Sequence, residues 1–173
     1  TSDDALHARV MTLRDHGRPP GDRLFLNTEV AFKYKMSAVQ AALGLGQMER
    51  FDELIEHKRR IFAWYRDRLS GLQGVRLNAE PKDTINSYWM VTIVPDADYG
   101  LDKFAIMDGR PFFSPLSTLP AYADRPESAR FLPAAPRAHE IARLGVNLPS
   151  GYHMDEAKVD RVGAALEAIL RRS

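Results

Sequence analysis

The chain contains no cysteine in its 173 residues. That excludes disulfide staples, thiolate metal sites and cysteine nucleophiles, and it fits a cytoplasmic protein. No apolar run approaches the roughly 18 residues of a membrane span, so no membrane is expected as a partner. No secretory leader is visible at the start. Net charge is almost absent: 24 Lys and Arg stand against 23 Asp and Glu, which leaves +1. A nucleic-acid partner is therefore not expected either. The histidines at 7, 16, 57, 139 and 153 have no metal-ligand spacing, and no metal is expected. There is no Ser-His-Asp grouping, Walker loop, G-x-G-x-x-G or internal repeat. What is present is an apolar content of 45%, ordinary for a globular core. The length suits one domain, or one domain with an arm.

The strongest local signal spans residues 32–65. Ser37 and Gln40 form an S-x-x-Q capping box, with Met36 and Ala41 placed as its staple. Apolar residues then recur at Val39, Leu43, Phe51, Leu54, Ile55, Ile61, Phe62, Tyr65 and Leu69, which is helical spacing. One helix over 37–69 is expected, mostly continuous, with any bend near Gly44 and Gly46. Unbroken, it would run about 50 Å at 1.5 Å per residue, long enough to connect domains or subunits. Two lysines, Lys33 and Lys35, sit just before its N-terminus, where backbone N–H groups and the dipole favour an anion.

On either side the pattern is mixed. Asp3 or Asp4 caps a first helix carrying Leu6, Val10 and Leu13 on one face and ended by His16 and Gly17. Residues 17–36 then lack periodicity, and so long a structureless stretch is often functional. Asn27, Phe32 and Tyr34 supply it with polar and aromatic contact groups. After the long helix, strands are expected at 75–77, 88–94, 110–113 and 146–148. A helix is expected over 135–144 with Gly145 as its C′ residue, and another after Asp155, stapled by Met154 and Val159 and closed by Arg171 and Arg172. The fold class read from this order is α+β.

Four segments, in order, resemble the DegT–DnrJ–StrS family of sugar aminotransferases, which use pyridoxal 5'-phosphate (PLP). Leu13-Arg14-Asp15-His16-Gly17 resembles its L-R-x-H-G. The run from Ala31 through Met36-Ser37, Gln40-Ala41-Ala42, Gly44-Leu45 and Gln47-Met48 resembles G-x-N-Y-R-M-S-x-x-Q-A-A-x-G-L-x-Q-L. Arg110-Pro111-Phe112-Phe113-Ser114-Pro115-Leu116-Ser117 resembles R-x-x-Y-x-P-L-H, and Leu148-Pro149-Ser150 its closing segment. Phe112, Phe113 and Ser117 resemble the perosamine-synthase side of the family.

The resemblance implies the small C-terminal domain of a fold-type-I, aspartate-aminotransferase-like PLP enzyme. Residues 1–36 would be the edge of its large domain and a dimer arm, 37–69 a long connecting helix, and 70–173 the small α+β domain. The family's Schiff-base lysine lies upstream in a motif resembling K-x-x-x-x-G-E-G-G. None of Lys33, Lys35, Lys58, Lys82, Lys103 and Lys158 has that context. The chain therefore reads as the C-terminal portion of a longer enzyme, with no catalytic residue of its own. The family also has roughly ten more residues, two to three helical turns, between the helix start at 101–107 and Arg110, so a gap is expected there.

Site residues follow from the same resemblance. Lys33 occupies the place of an asparagine that reaches into the neighbouring subunit and contacts the PLP phosphate. An ammonium serves that purpose too. Lys35 replaces an arginine and is expected in a structural ion pair. Asn27, Tyr34, Phe112, Phe113 and Ser114 are expected to contact substrate. Ser117 stands where the family has histidine. The implied function is transfer of an amino group from glutamate or glutamine to a keto sugar, usually nucleotide-linked, by a homodimer. Two other readings are open: a dehydratase, as in relatives with histidine at the Schiff-base position, or a non-catalytic domain that dimerises or binds a ligand.

Overall fold

A computed structural model describes residues 1–100, 110–122, 125–126, 130 and 134–171. The helix start expected at 101–107, the gap expected before Arg110, and Arg172 lie outside the described residues. The chain divides into two compact units, Thr1–Phe51 and Asp52–Ser173.

In the first unit, α1 (Asp4–Leu13) starts on Asp3, whose carboxylate accepts the Leu6 N–H at 2.9 Å. The helix closes on Arg14. His16 does not cap it: its N–H donates to the Phe32 carbonyl at 3.2 Å, beside an antiparallel bridge joining Asp15 to Lys33. Gly17 follows with φ of +71°, and a Cβ there would run into the Glu29 carbonyl oxygen. The aperiodic stretch is ordered by local bonds. Thr28 donates to the Gly17 carbonyl from both its amide and its hydroxyl, each at 2.9 Å. Asp22 accepts the N–H groups of Leu24 and Leu26, and Arg9 pairs with Glu29. Next, α2 (Ala38–Met48) opens on the expected capping box: Ser37 accepts the Gln40 N–H at 3.3 Å, and Gln40 accepts the Ser37 N–H at 2.9 Å. Neither α1 nor α2 buries a residue.

The helix expected over 37–69 is two helices, α2 and α3 (Phe51–Leu69), divided at Glu49 and Arg50. The Arg50 N–H bonds the Gln47 carbonyl at 3.2 Å, a tightened i−3 bond that ends α2. Gly44 and Gly46 are not the breaking point, and no described atom lies within 4 Å of a Cβ built on either.

The second unit is an antiparallel sheet with helices. Strands β1 (Val75–Leu77), β2 (Val91–Pro95), β3 (Arg110–Pro111) and β4 (Val146–Leu148) lie in the order β1-β2-β4-β3. Val75 pairs with Pro95, Val91 with Leu148, and Arg110 with Asn147. Every residue of β2 and β4 is buried, because apolar layers cover the centre of the sheet. One layer joins Ile61, Phe62, Tyr65 and Leu69 of α3 to Val91, Ile93, Val146 and Leu148, and to Val159 and Leu166 of α5 (Glu156–Leu170). Asp155 caps α5 by accepting the Lys158 N–H at 2.9 Å, as expected. Arg68 grips Glu167 with two bonds at 2.8 and 3.1 Å, and its stem crosses Gly163, where a Cβ would sit 2.6 Å away. Opposite, α4 (Pro136–Leu144) lies against β2, tied to β1 by Arg76 and Glu140 at 2.7 Å.

Two local expectations are corrected. The strand expected at 88–94 starts at Val91, because Tyr88 adopts φ of +48° and stacks on Phe62 with ring centroids 3.7 Å apart. Gly145 is not a left-handed C′ residue. Its backbone is extended, and it is glycine because a Cβ would meet the Ile141 carbonyl at 2.5 Å and the Phe112 Cβ at 3.0 Å. No described helix is long and apolar enough to cross a membrane.

Candidate functional site

In the first unit the two arm lysines, Lys33 and Lys35, converge on one carboxylate. Two backbone bonds set this up: the N–H groups of Tyr34 and Lys35 both donate to the Arg14 carbonyl at 2.8 Å. That register brings Lys33 Nζ to 2.9 Å from one Asp15 oxygen and Lys35 Nζ to 3.4 Å from the other. The Lys33 hydrogen bond, aided by Lys35 and opposed by partial burial, holds the Asp15 carboxyl below the usual carboxylate range. Lys35 thus makes the structural pair expected of it. Lys33 has one further role open, since an ammonium has three donors and Asp15 engages one. Its side chain is 49% exposed.

The neighbours of Lys33 project outward. Tyr34 is 77% exposed and meets Phe32 edge-on at 6.0 Å. Asn27 uses its side-chain oxygen to accept Arg18 Nε at 3.1 Å. It belongs to the loop beside the bridge, not to the lysine cluster.

In the second unit, Phe112 is fixed by the sheet: its N–H donates to the Gly145 carbonyl at 3.1 Å, continuing the β3–β4 ladder. Phe112 is partly buried, while Phe113 and Ser114 are exposed. Phe113 contacts Phe112 edge-on at 6.1 Å and lies parallel to Trp89 at 6.2 Å. By sequence Trp89 falls within the strand expected at 88–94. It is 61% exposed because the chain kinks at Tyr88 and turns it out. In the sequence, the Asn86-Ser87 pair is the turn signal that bears on this kink. Lys58 holds this corner: its ammonium donates to the Trp89 carbonyl at 2.9 Å and to the Ser150 carbonyl, and burial pushes its pKa down. Behind it, the buried Tyr65 hydroxyl donates to the Pro149 carbonyl at 2.9 Å. The Leu148-Pro149-Ser150 segment is therefore anchored from α3.

A second anchor lies at Arg59. It forks onto Glu80 at 2.7 and 3.1 Å, donates to the Asn86 carbonyl at 2.6 Å, and sits 5.4 Å over the Tyr88 ring. Arg59, then the Asn86 amide, lower the Glu80 pKa to about 2. The turn that carries Trp89 is thus anchored from α3.

A family model described as the DegT/DnrJ/EryC1/StrS aminotransferase family matches residues 1–167. A GDP-perosamine synthase of Vibrio cholerae is 32% identical over 158 residues, which cover 87% of this chain and 41% of that protein. One of Caulobacter vibrioides is 32% identical over 182 residues, covering 98% and 47%. The chain thus spans about half the length of the curated relatives it matches. Among solved structures, DesI in the presence of its TDP-sugar product aligns with a TM-score of 0.79 and 26% identity, over 99% of this chain and 44% of that one.

Proposed function

The chain belongs to the DegT/DnrJ/EryC1/StrS aminotransferase family, and from that membership we propose that it forms part of a PLP-dependent enzyme moving an amino group from glutamate or glutamine to a keto sugar. The match over residues 1–167 carries the reading. A GDP-linked keto sugar is the first acceptor to try, since two relatives are named GDP-perosamine synthase.

Pyridoxal phosphate, the family's cofactor, supplies when bound an electron sink through which an amino group is exchanged between carbon atoms. The residues of this chain fit such a group at one point. Lys33 presents a half-exposed ammonium with donors to spare, on an arm whose register is set by the Asp15 bridge. Its role is to bind the cofactor phosphate as a point charge, or failing that an anionic group of the substrate. Asp15 holds that ammonium in place. Tyr34 and Asn27, on the same arm, face substrate, and Phe112, Phe113 and Ser114 line an apolar wall for sugar or base. Deprotonation at the reacting carbon belongs to a lysine in the family's K-x-x-x-x-G-E-G-G motif, which this chain does not contain.

The arm also supports a homodimer. Val30, Phe32, Tyr34 and Met36 are exposed on a unit whose helices bury no residue of their own, and apolar surface of this kind marks an interaction site. The reading is tested with the full-length protein carrying this chain, loaded with PLP and given glutamate or glutamine. The account expects the bound cofactor's absorbance to pass to that of its amine form, and a spectrum inert to both donors would oppose it.

A further inference from the structure

The loop between α1 and the Asp15–Lys33 bridge encloses a cavity of about 310 Å³, lined by Met11, Arg14, Arg18, Pro19, Phe25 and Lys35 among others. That is the lower end of the size range of small-molecule sites. Asp15 and Asp22 also border it, but both carboxylates are engaged. Asp15 takes the two lysines, and Asp22 takes the amides of Leu24 and Leu26.

The two guanidinium groups are different. Arg14 has no side-chain acceptor among the described residues. Among the described residues Arg18 commits only Nε, to Asn27, while its Cζ rests 5.1 Å over the Phe25 ring. Its fork is therefore held in position with both terminal nitrogens open. Arg9, Arg59, Arg68 and Arg76 each hold a carboxylate instead. Two unpaired forks around one concavity, with a lysine on its rim, make a site for an anion of more than one charge. Met11, Pro19 and Phe25 supply apolar wall for an organic portion.

We propose that this cavity binds the phosphate oxygens of a sugar nucleotide's diphosphate, with Arg14 and Arg18 as the two forks. The choice of a sugar nucleotide rests on the function proposed above. A diphosphate matches two forks and an ammonium better than the single negative charge of a carboxylate does. The cavity is too small for a whole nucleotide, so base and sugar would extend beyond it.

The test uses the full-length protein with inorganic pyrophosphate and with GDP as probes, measured by calorimetry. Arg14→Ala and Arg18→Ala should each weaken both probes about tenfold or more, the usual loss of a charge-assisted contact. Arg14→Lys should keep part of the affinity and guards against a folding defect. Arg23→Ala, on the same loop but outside the cavity lining, should change nothing. PLP affinity and the response to glutamate should be unaltered in every variant. The proposal fails if wild type does not bind pyrophosphate, if folded variants bind it unchanged, or if Arg23→Ala matches Arg14→Ala. It also fails if the loss falls on PLP or glutamate instead. A wild type inert to both glutamate and glutamine, with pyrophosphate binding that is lost in Arg14→Ala, removes the aminotransferase reading and keeps the cavity. Normal glutamate turnover with unchanged pyrophosphate binding does the reverse.

Discussion

Asp15 shows how much one side chain can organise. It is a half-buried carboxylate that sets the position of two ammonium groups 18 and 20 residues away. Lys33 is the one proposed to meet the cofactor phosphate. In the full-length protein, Lys33→Ala should weaken PLP binding about ten- to a hundredfold while the fold survives. Lys33→Asn should restore part of it, because asparagine is what the resembling motif has there. An absorbance titration of the cofactor reads this. Unchanged PLP affinity and unchanged substrate KM would leave Lys33 as only a partner of Asp15. The lysines themselves were legible in the sequence; their shared carboxylate was not. It comes from an antiparallel bridge across an aperiodic loop, and no local periodicity encodes such a pairing.

A second prediction belongs to this scale. Glu80 has a folded pKa of about 2 against an ordinary 4.5. A depressed carboxylate pKa adds stability above the unfolded value, and that stability is lost as pH falls through the folded one. The Arg59–Glu80 contribution is thus complete above about pH 4.5 and disappears toward about pH 2. Glu80→Gln should lower the melting temperature at neutral pH and flatten its decline across that window. Parallel wild-type and variant curves would contradict the assignment.

Among elements, the helices were the most legible. The Ser37–Gln40 box and the Asp155 cap form as the sequence implies, and α3 buries the apolar stripe read from it. The break at Glu49 and Arg50 was not legible, because neither residue is a helix breaker and the obvious suspects, Gly44 and Gly46, stay helical. Tyr88 and Gly145 misled for a related reason. Tyr88 looks like a strand residue by type, but its ring stacks on Phe62 and its backbone turns left-handed. Gly145 looks like a helix stop, but it is needed where α4, β4 and Phe112 crowd together. Gly145→Ala should therefore destabilise the protein by about 1–3 kcal/mol, the usual cost of overpacking. A melt in denaturant reads this, and an unchanged midpoint would remove the crowding argument. The same variant should disturb Phe112 first, since that side chain is the nearest after the Ile141 carbonyl.

At the scale of the whole molecule, the two units differ in kind. Asp52–Ser173 has a closed core of its own in which Ile61, Tyr65, Val91, Ile93, Val146 and Val159 are wholly or almost wholly out of solvent. Thr1–Phe51 has no counterpart, and Val39, Leu43 and Met48 of α2 stand open. That open apolar surface is what the homodimer proposed above would cover. Sedimentation of the full-length protein should give a dimer. Asp15→Ala, which frees the arm lysines, should impair cofactor binding more than the melting temperature. A fully active monomer would exclude the shared site.

The family was readable from four short segments in order, whereas the substrate was not. Trp89 and the Arg14–Arg18 cavity become visible only when loops fold back on helices. Amino transfer to a sugar can be measured directly. The full-length protein, PLP, glutamate carrying an isotopically labelled amino nitrogen, and a GDP-linked keto sugar are incubated together, and the sugar nucleotide is analysed by mass spectrometry. A GDP-linked amino sugar carrying the label is the expected product. A sugar nucleotide that loses water without gaining nitrogen, or one that is recovered unchanged from every keto sugar and donor tried, would contradict amino transfer.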